Sequence, residues 1–203
     1  MEFREWPKTP RLYKDMIVTE KIDGTNACVV VSEHAFGTHI GGPPPGTALV
    51  VGPDKMNAGG PVVEYLVGAQ SRKRRITPED DNFGFARWVR DHAPELARTL
   101  DAGYHYGEWW GSGIQRGYDL PKGEKRFALF NVSRYADVDT AAVPGLGLVP
   151  VLVTGPFSTR IVSECVADLQ VLGSFAAPGY PRPEGVIVYH TAASQVFKAF
   201  CEY

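Results

Sequence analysis

The sequence predicts an α+β fold built on a mainly antiparallel sheet, and three observations carry that prediction. Short apolar runs bounded by Gly, Pro, Asn and Asp recur along the chain, as half-buried strands require. Only two or three stretches place apolar residues at helical spacing. Strands and helices also fail to alternate in the regular order of a doubly wound parallel sheet. With 203 residues, the chain is long enough for one well-buried core, or at most two small lobes sharing one.

In chain order, "ACVVVSE" and "TALVVG" read as strands on either side of "GGPPPG", Gly41 to Gly46. That stretch must be a loop, because consecutive prolines and glycines cannot supply ladder hydrogen bonds. Thr77 followed by Pro78, Glu79 and Asp80 reads as an N-cap with proline at the first helical position and acids in the first turn. A helix is therefore predicted from there to about Asp91, with a second short one near Pro94 to Leu100. Strand-like "YHYGEWW" comes next, then the Gly-rich turn "GSGIQRGYDLPKGEK" and the apolar "RFALFNVSRY". The segment "STRIVSECVADLQVLGSF" puts Ile161, Cys165, Val166, Leu169 and Leu172 at helical spacing. It is predicted to be an amphipathic helix packed on a sheet, with Cys165 in the core. "EGVIVYH" and "SQVFKAFCEY" close the chain as two more strands.

Composition excludes several classes. A formal charge of −2 and a pI near 6.2 carry no overall basic signature, so any nucleic-acid contact must come from a local patch. The three cysteines, Cys28, Cys165 and Cys201, lie far apart without CxxC spacing, which speaks against a disulfide framework and against a structural zinc site. No apolar stretch approaches the ~20 residues that span a bilayer, and "MEFREWPKTPR" has no signal-peptide apolar core. The expected setting is the reducing cytoplasm, without a membrane partner. Histidines 34, 39, 92, 105 and 190 show neither HxxxH nor HExxH spacing and read as surface or satisfied core residues.

The stretch "TEKIDGTNA" sets Lys21 two residues before Asp23 and Gly24. Taken alone it is a strand-to-turn junction in which Asp23 and Gly24 make the turn and Lys21 faces water, or it presents a nucleophile. Five further stretches toward the C-terminus separate the two. "KIDGTN" at 21 to 26 is succeeded by "AQSRKRR" at 69 to 75, "YGEWWG" at 106 to 111, "RFALFNV" at 126 to 132, "PEGVIV" at 183 to 188 and "VFKAF" at 196 to 200. In order and approximate spacing these resemble the six motifs of the covalent nucleotidyltransferases, the ATP-dependent DNA and RNA ligases and the mRNA capping enzymes. The wording is most similar to the RNA ligase 2 family of phage type.

The resemblance implies an ATP-grasp-like ligase catalytic fold, a nucleotidyltransferase domain with mainly antiparallel sheets flanked by helices. It implies an ATP-dependent RNA ligase that self-adenylates on Lys21, passes AMP to an RNA 5′-phosphate and joins that end to a 3′-hydroxyl. Asn26 and Arg72 are then expected on phosphate, Glu108 on a ribose hydroxyl, and Phe130 on the adenine face. Backbone groups at Glu20 and Ile22 are placed to read the adenine edge. Glu184 is expected to hold magnesium, or manganese, through water, since magnesium dehydrates reluctantly. A lysine attacks only as the neutral amine, and its ordinary pKa is about 10.4; burial or a neighbouring cation lowers it, and Lys198 is the cation expected nearby. Each residue also has a plain alternative: Phe130 as core, Arg72 as a solvated charge whose role Arg74 or Arg75 could take, Glu108 as a strand-edge charge, Glu184 as the end of a turn.

Two departures from the family pattern stand out. Its last motif commonly carries two lysines one residue apart, where "VFKAF" has only Lys198, and Asn131 comes after Phe130 where aspartate is frequent. The expected organisation is a single adenylation domain over residues 1–203 with no C-terminal OB-fold or helical module, any accessory partner being unidentified. The expected partner is RNA ends in nicked duplex RNA or an RNA:DNA hybrid, in the cytoplasm of a bacterium or a phage-infected host. An ATP-dependent DNA ligase, a GTP-using capping guanylyltransferase and a non-sealing nucleotide-binding protein share the same motifs.

Overall fold

The computed structural model describes residues 2–55 and 60–203. In chain order its elements are β1 (Asp15–Lys21), β2 (Thr25–Ala35), β3 (Thr47–Pro53), β4 (Val62–Ser71), β5 (Arg75–Ile76), α1 (Phe85–Asp91), α2 (Ala93–Thr99), β6 (Gly103–Gly111), β7 (Lys125–Leu129), β8 (Leu146–Leu148), β9 (Val151–Pro156), α3 (Thr159–Leu172), β10 (Gly185–His190) and β11 (Gln195–Phe200). They divide into two compact units, one made of Met1–Ile22 with Val149–Tyr203 and the other of Asp23–Leu148. The class is α+β with mainly antiparallel sheets, as the strand-rich pattern predicts; among the described residues only β7 and β8 run parallel.

The first unit is a four-stranded sheet in the order β11-β10-β1-β9 with α3 packed on β10 and β11. Met16, Val18, Val186 and Val188 from the sheet meet Cys165 and Leu169 from the helix in one apolar cluster. The sequence places Cys165 and Leu169 on this face, and both are buried; Leu172 is 66% exposed, so the buried stripe ends one turn earlier than its spacing suggests. Ser158 caps the helix, its hydroxyl accepting from the Ile161 N–H at 3.4 Å. Helix propensity and this cap set the element; burial of one stripe holds it.

The second unit carries a sheet in the order β3-β4-β2-β6-β7-β8, with β5 beside β4. The proline loop therefore does not close a hairpin, because β4 lies between β2 and β3. Period-two alternation sends Val29, Val31, Val67, Trp109 and Phe127 to one face, where they pack with Phe85 and Val89 of α1 and Leu96 of α2. Phe85 is the hub, with ring centroids 4.9 Å from Phe127 and 5.3 Å from Trp109. His105 is a satisfied core residue: its Nε2–H donates to the Asp101 carbonyl at 2.9 Å, so Nδ1 accepts from the Tyr135 hydroxyl at 3.0 Å. Burial pushes its pKa below the ordinary value, in keeping with a neutral ring.

The start of α1 corrects the expectation at Thr77. Thr77 does accept from the Asp80 N–H, at 3.1 Å, but it closes one turn only and the helix begins at Phe85. Phe83 and Gly84 have φ of 52° and 85°, which no continuous right-handed helix allows. The Asp81 carboxylate supplies the acceptor instead, taking the N–H groups of Ala86 at 2.8 Å and Arg87 at 3.2 Å. Acidic and amide side chains in "EDDN" compete for backbone donors and break the predicted run.

Candidate functional site

In the first unit, strand alternation decides which predicted residues meet. Lys21, Gly185 and Phe200 form one row across β1, β10 and β11, and Thr19, Ile187 and Lys198 form another. Both rows lie on the same face of the sheet. On it, Lys21 Nζ contacts the Glu184 carboxylate at 2.5 Å. Phe200 stands beside both amines, with Lys21 Nζ 5.9 Å and Lys198 Nζ 5.1 Å from its ring centroid, a range in which an aromatic face attracts cations. Sequence reasoning missed Phe200, although its place two residues after Lys198 puts it on the lysine's face. Gly185 is what lets Glu184 sit there: a Cβ would lie 2.1 Å from the Ala199 carbonyl, at a φ of +152°.

Glu20, one residue earlier, points to the opposite face and is buried. Its carboxylate accepts the Ser174 hydroxyl at 2.6 Å and the N–H groups of Phe175 at 2.8 Å and Ala176 at 2.9 Å. Burial pushes its pKa above the ordinary value, and these three hydrogen bonds oppose that rise. The Glu20 N–H donates to the Pro150 carbonyl at 2.9 Å, and Ile22 is buried just past β1. Glu20 thus fastens the segment after α3 to β1. Glu20→Ala leaves the buried Ser174 hydroxyl and two partly buried N–H groups without their acceptor, so chemical unfolding is expected to report a loss of about 2 kcal/mol; an unchanged midpoint would remove this anchoring role.

In the second unit, Glu108 is the centre. Its Oε2 accepts from Asn26 Nδ2 at 2.7 Å and its Oε1 from the Gly24 N–H at 3.2 Å. Asn26 and Glu108 are direct cross-strand partners of β2 and β6, so the two predicted residues meet by register. The turn at Asp23 is held as well: its N–H donates to the Tyr118 hydroxyl at 2.8 Å, and Arg116 Nε donates to its carboxylate at 2.9 Å. Arg116 and Tyr118 come from the Gly-rich turn between β6 and β7 and carry no spacing signal that ties them to Asp23. That turn is strained, with Gln115, Tyr118 and Asp119 at φ of 43°, 53° and 54°, and such strain persists where surrounding contacts over-determine it.

Arg72 is exposed in the turn between β4 and β5, which the Ser71 N–H closes on the Arg74 carbonyl at 2.8 Å. Arg74 is engaged by Asp80 through two contacts of 2.6 and 2.9 Å. Phe130 lies just past β7 and is 41% exposed, with its N–H on the Tyr106 carbonyl at 3.0 Å. It is not a core residue. Among the described residues no group of three or more His, Cys, Asp or Glu is arranged to hold a metal ion. A single carboxylate such as Glu184 fits magnesium or manganese only in the manner of ions that keep most of their water and share the substrate's phosphates. Among the described residues no helix is long and apolar enough to cross a membrane.

The RNA ligase family model matches residues 14–200. Among solved structures, the chain is similar to a lysine-to-alanine variant of Naegleria gruberi RNA ligase with ATP and Mn, at 17% identity and a TM-score of 0.54 over 94% of this chain and 50% of that one. A second lysine-to-alanine variant of the same ligase with ATP and Mn matches at 17% identity and a TM-score of 0.52, over 93% and 50%. The Naegleria gruberi RNA ligase with PPi matches at 15% identity and 0.52, over 92% and 49%. The chain spans about half the length of these solved structures, and the likeness is one of fold. No curated protein matches the sequence.

Proposed function

This chain belongs to the RNA ligase family of covalent nucleotidyltransferases, and we propose that it self-adenylates on Lys21 and uses the AMP to join RNA ends. The observation that supports this most is the Lys21–Glu184 contact, made across 163 positions of sequence on the sheet face that also carries Lys198 and Phe200. The Lys21 nitrogen attacks the α-phosphate of ATP: the N–P bond forms, the bond to the β-phosphate oxygen breaks, and pyrophosphate leaves. The AMP then passes to an RNA 5′-phosphate, and a 3′-hydroxyl expels it.

The chain's own residues position and neutralise. Glu184 orients the amine, Lys198 adds positive charge on the same face, and Phe130 offers a stacking surface worth about 1–3 kcal/mol per base. Asn26 and Arg72 are the phosphate contacts and Glu108 the ribose contact in this reading, while backbone groups at Glu20 and Ile22 line the adenine edge. Glu184 would hold the divalent ion through water, and the ion supplies charge neutralisation on the phosphate oxygens.

Incubating the full chain with α-labelled ATP and magnesium or manganese, followed by denaturing electrophoresis, tests the reading. Label is expected to stay on the protein with ATP, not with GTP, and to vanish with EDTA. Absence of any covalent AMP sinks the self-adenylation step, and sealing of nicked DNA in place of RNA sinks the substrate.

A further inference from the structure

We propose that Tyr104 and Tyr106 form a stacking platform for unpaired RNA bases, so that the chain takes RNA ends with single-stranded nucleotides beside the joint. The inference rests on the RNA ligase reading above and adds the strandedness of its substrate. On β6, His105, Gly107 and Trp109 occupy one face, of which His105 and Trp109 are buried. Tyr104 and Tyr106 occupy the other, and they are 52% and 57% exposed. Their ring planes lie within 13° of each other with centroids 6.2 Å apart, toward the wide end of the 4.5–7 Å range of aromatic pairs. The two rings are nearly parallel, and each residue is about half exposed.

The charges around these rings suit a polyanion. Tyr106 lies in one row across the sheet with Cys28, Gln70 and Arg75, three strand spacings or about 14 Å in all. Arg72 and Lys73 lie in the turn that precedes Arg75 and supply the cations; Arg134, whose Nη1 donates to the Tyr104 carbonyl at 3.0 Å, is already paired with Asp101 at 2.8 Å. Aromatic faces flanked by cations take bases on the rings and phosphates on the charges, with little regard for sequence. Bases in a continuous duplex are already stacked on one another and cannot use such faces. The occupant is therefore unpaired RNA.

The test is fluorescence anisotropy of the full chain without ATP, using a short labelled single-stranded RNA and the same sequence as a blunt duplex. For Tyr104→Ala/Tyr106→Ala, single-strand affinity is expected to fall at least about tenfold while duplex affinity moves by less than about twofold. Tyr104→Phe/Tyr106→Phe, which keeps the faces, is expected to stay within about twofold of wild type. Wild-type binding by the alanine pair, an equal loss on duplex, or an equal loss in the phenylalanine pair overturns the proposal. Should the alanine pair not fold, photo-crosslinking of wild type to 4-thiouridine RNA decides: crosslinks are expected within residues 103–111, and none there overturns it. Because neither assay needs ATP, failure of adenylation on Lys21 is read separately.

Discussion

Lys21→Ala is expected to take up no covalent AMP, at least about a thousandfold below wild type, since removal of a covalent nucleophile leaves no second route to the same intermediate. Lys21→Arg should fail equally, because a guanidinium keeps its charge and offers no neutral amine. Both variants should still fold: Lys21 lies at the end of β1 and is only partly buried, so a thermal melt should move little. Lys198 is the control that gives the experiment its edge. It stands on the same sheet face and shares the Phe200 ring, so a Lys21→Ala chain that still labels would overturn the assignment of Lys21 and make the Lys21→Ala/Lys198→Ala pair the next measurement. A Lys198→Ala chain is expected to label slowly but detectably, as loss of a charge-neutralising group lowers the rate without removing the bond-forming atom.

Gly24→Ala carries the second largest effect. A Cβ at this position would lie 2.4 Å from the Trp109 carbonyl oxygen, 2.8 Å from the Trp110 Cβ and 3.1 Å from the Glu108 Cγ. Two of these are fixed by the β6 backbone, so the turn must move and the Gly24 hydrogen bond to Glu108 is lost. Overpacking of this kind costs about 3 kcal/mol, read as a lowered denaturation midpoint. Lys21 is three residues away along the chain, and a displacement of about 1 Å at a reacting group costs about a hundredfold in rate. The labelling rate should fall accordingly even under conditions where the variant remains folded. A Gly24→Ala chain with wild-type midpoint and wild-type labelling would show that the tight approach to β6 is dispensable.

The strand-rich class and α3 with its buried Cys165 and Leu169 follow from patterns that sequence displays directly: alternation and helical spacing. Alternation also suffices to put Glu20 and Lys21 on opposite faces of β1, which is why one fastens a loop and the other stands with Glu184. The boundary of α1 did not follow, because Asp81 competes for backbone donors and Phe83 and Gly84 take left-handed conformations. Neither is a matter of periodicity. Arg116 and Tyr118 reach Asp23 from about 95 residues away through a turn whose backbone is set by tertiary contacts, and no local rule links them.

Residue type and spacing are enough to assign the family, to single out Lys21 as the candidate nucleophile and to order the groups that accompany it. They are not enough to say that Glu184 and Phe200 flank that lysine, that Glu108 rather than any neighbour holds the Gly24 turn, or that Tyr104 and Tyr106 stand open to solvent. Each of these depends on which strands pair and in what register. Register is chosen by the burial of one whole face at a time, a property of the assembled sheet that no single strand contains.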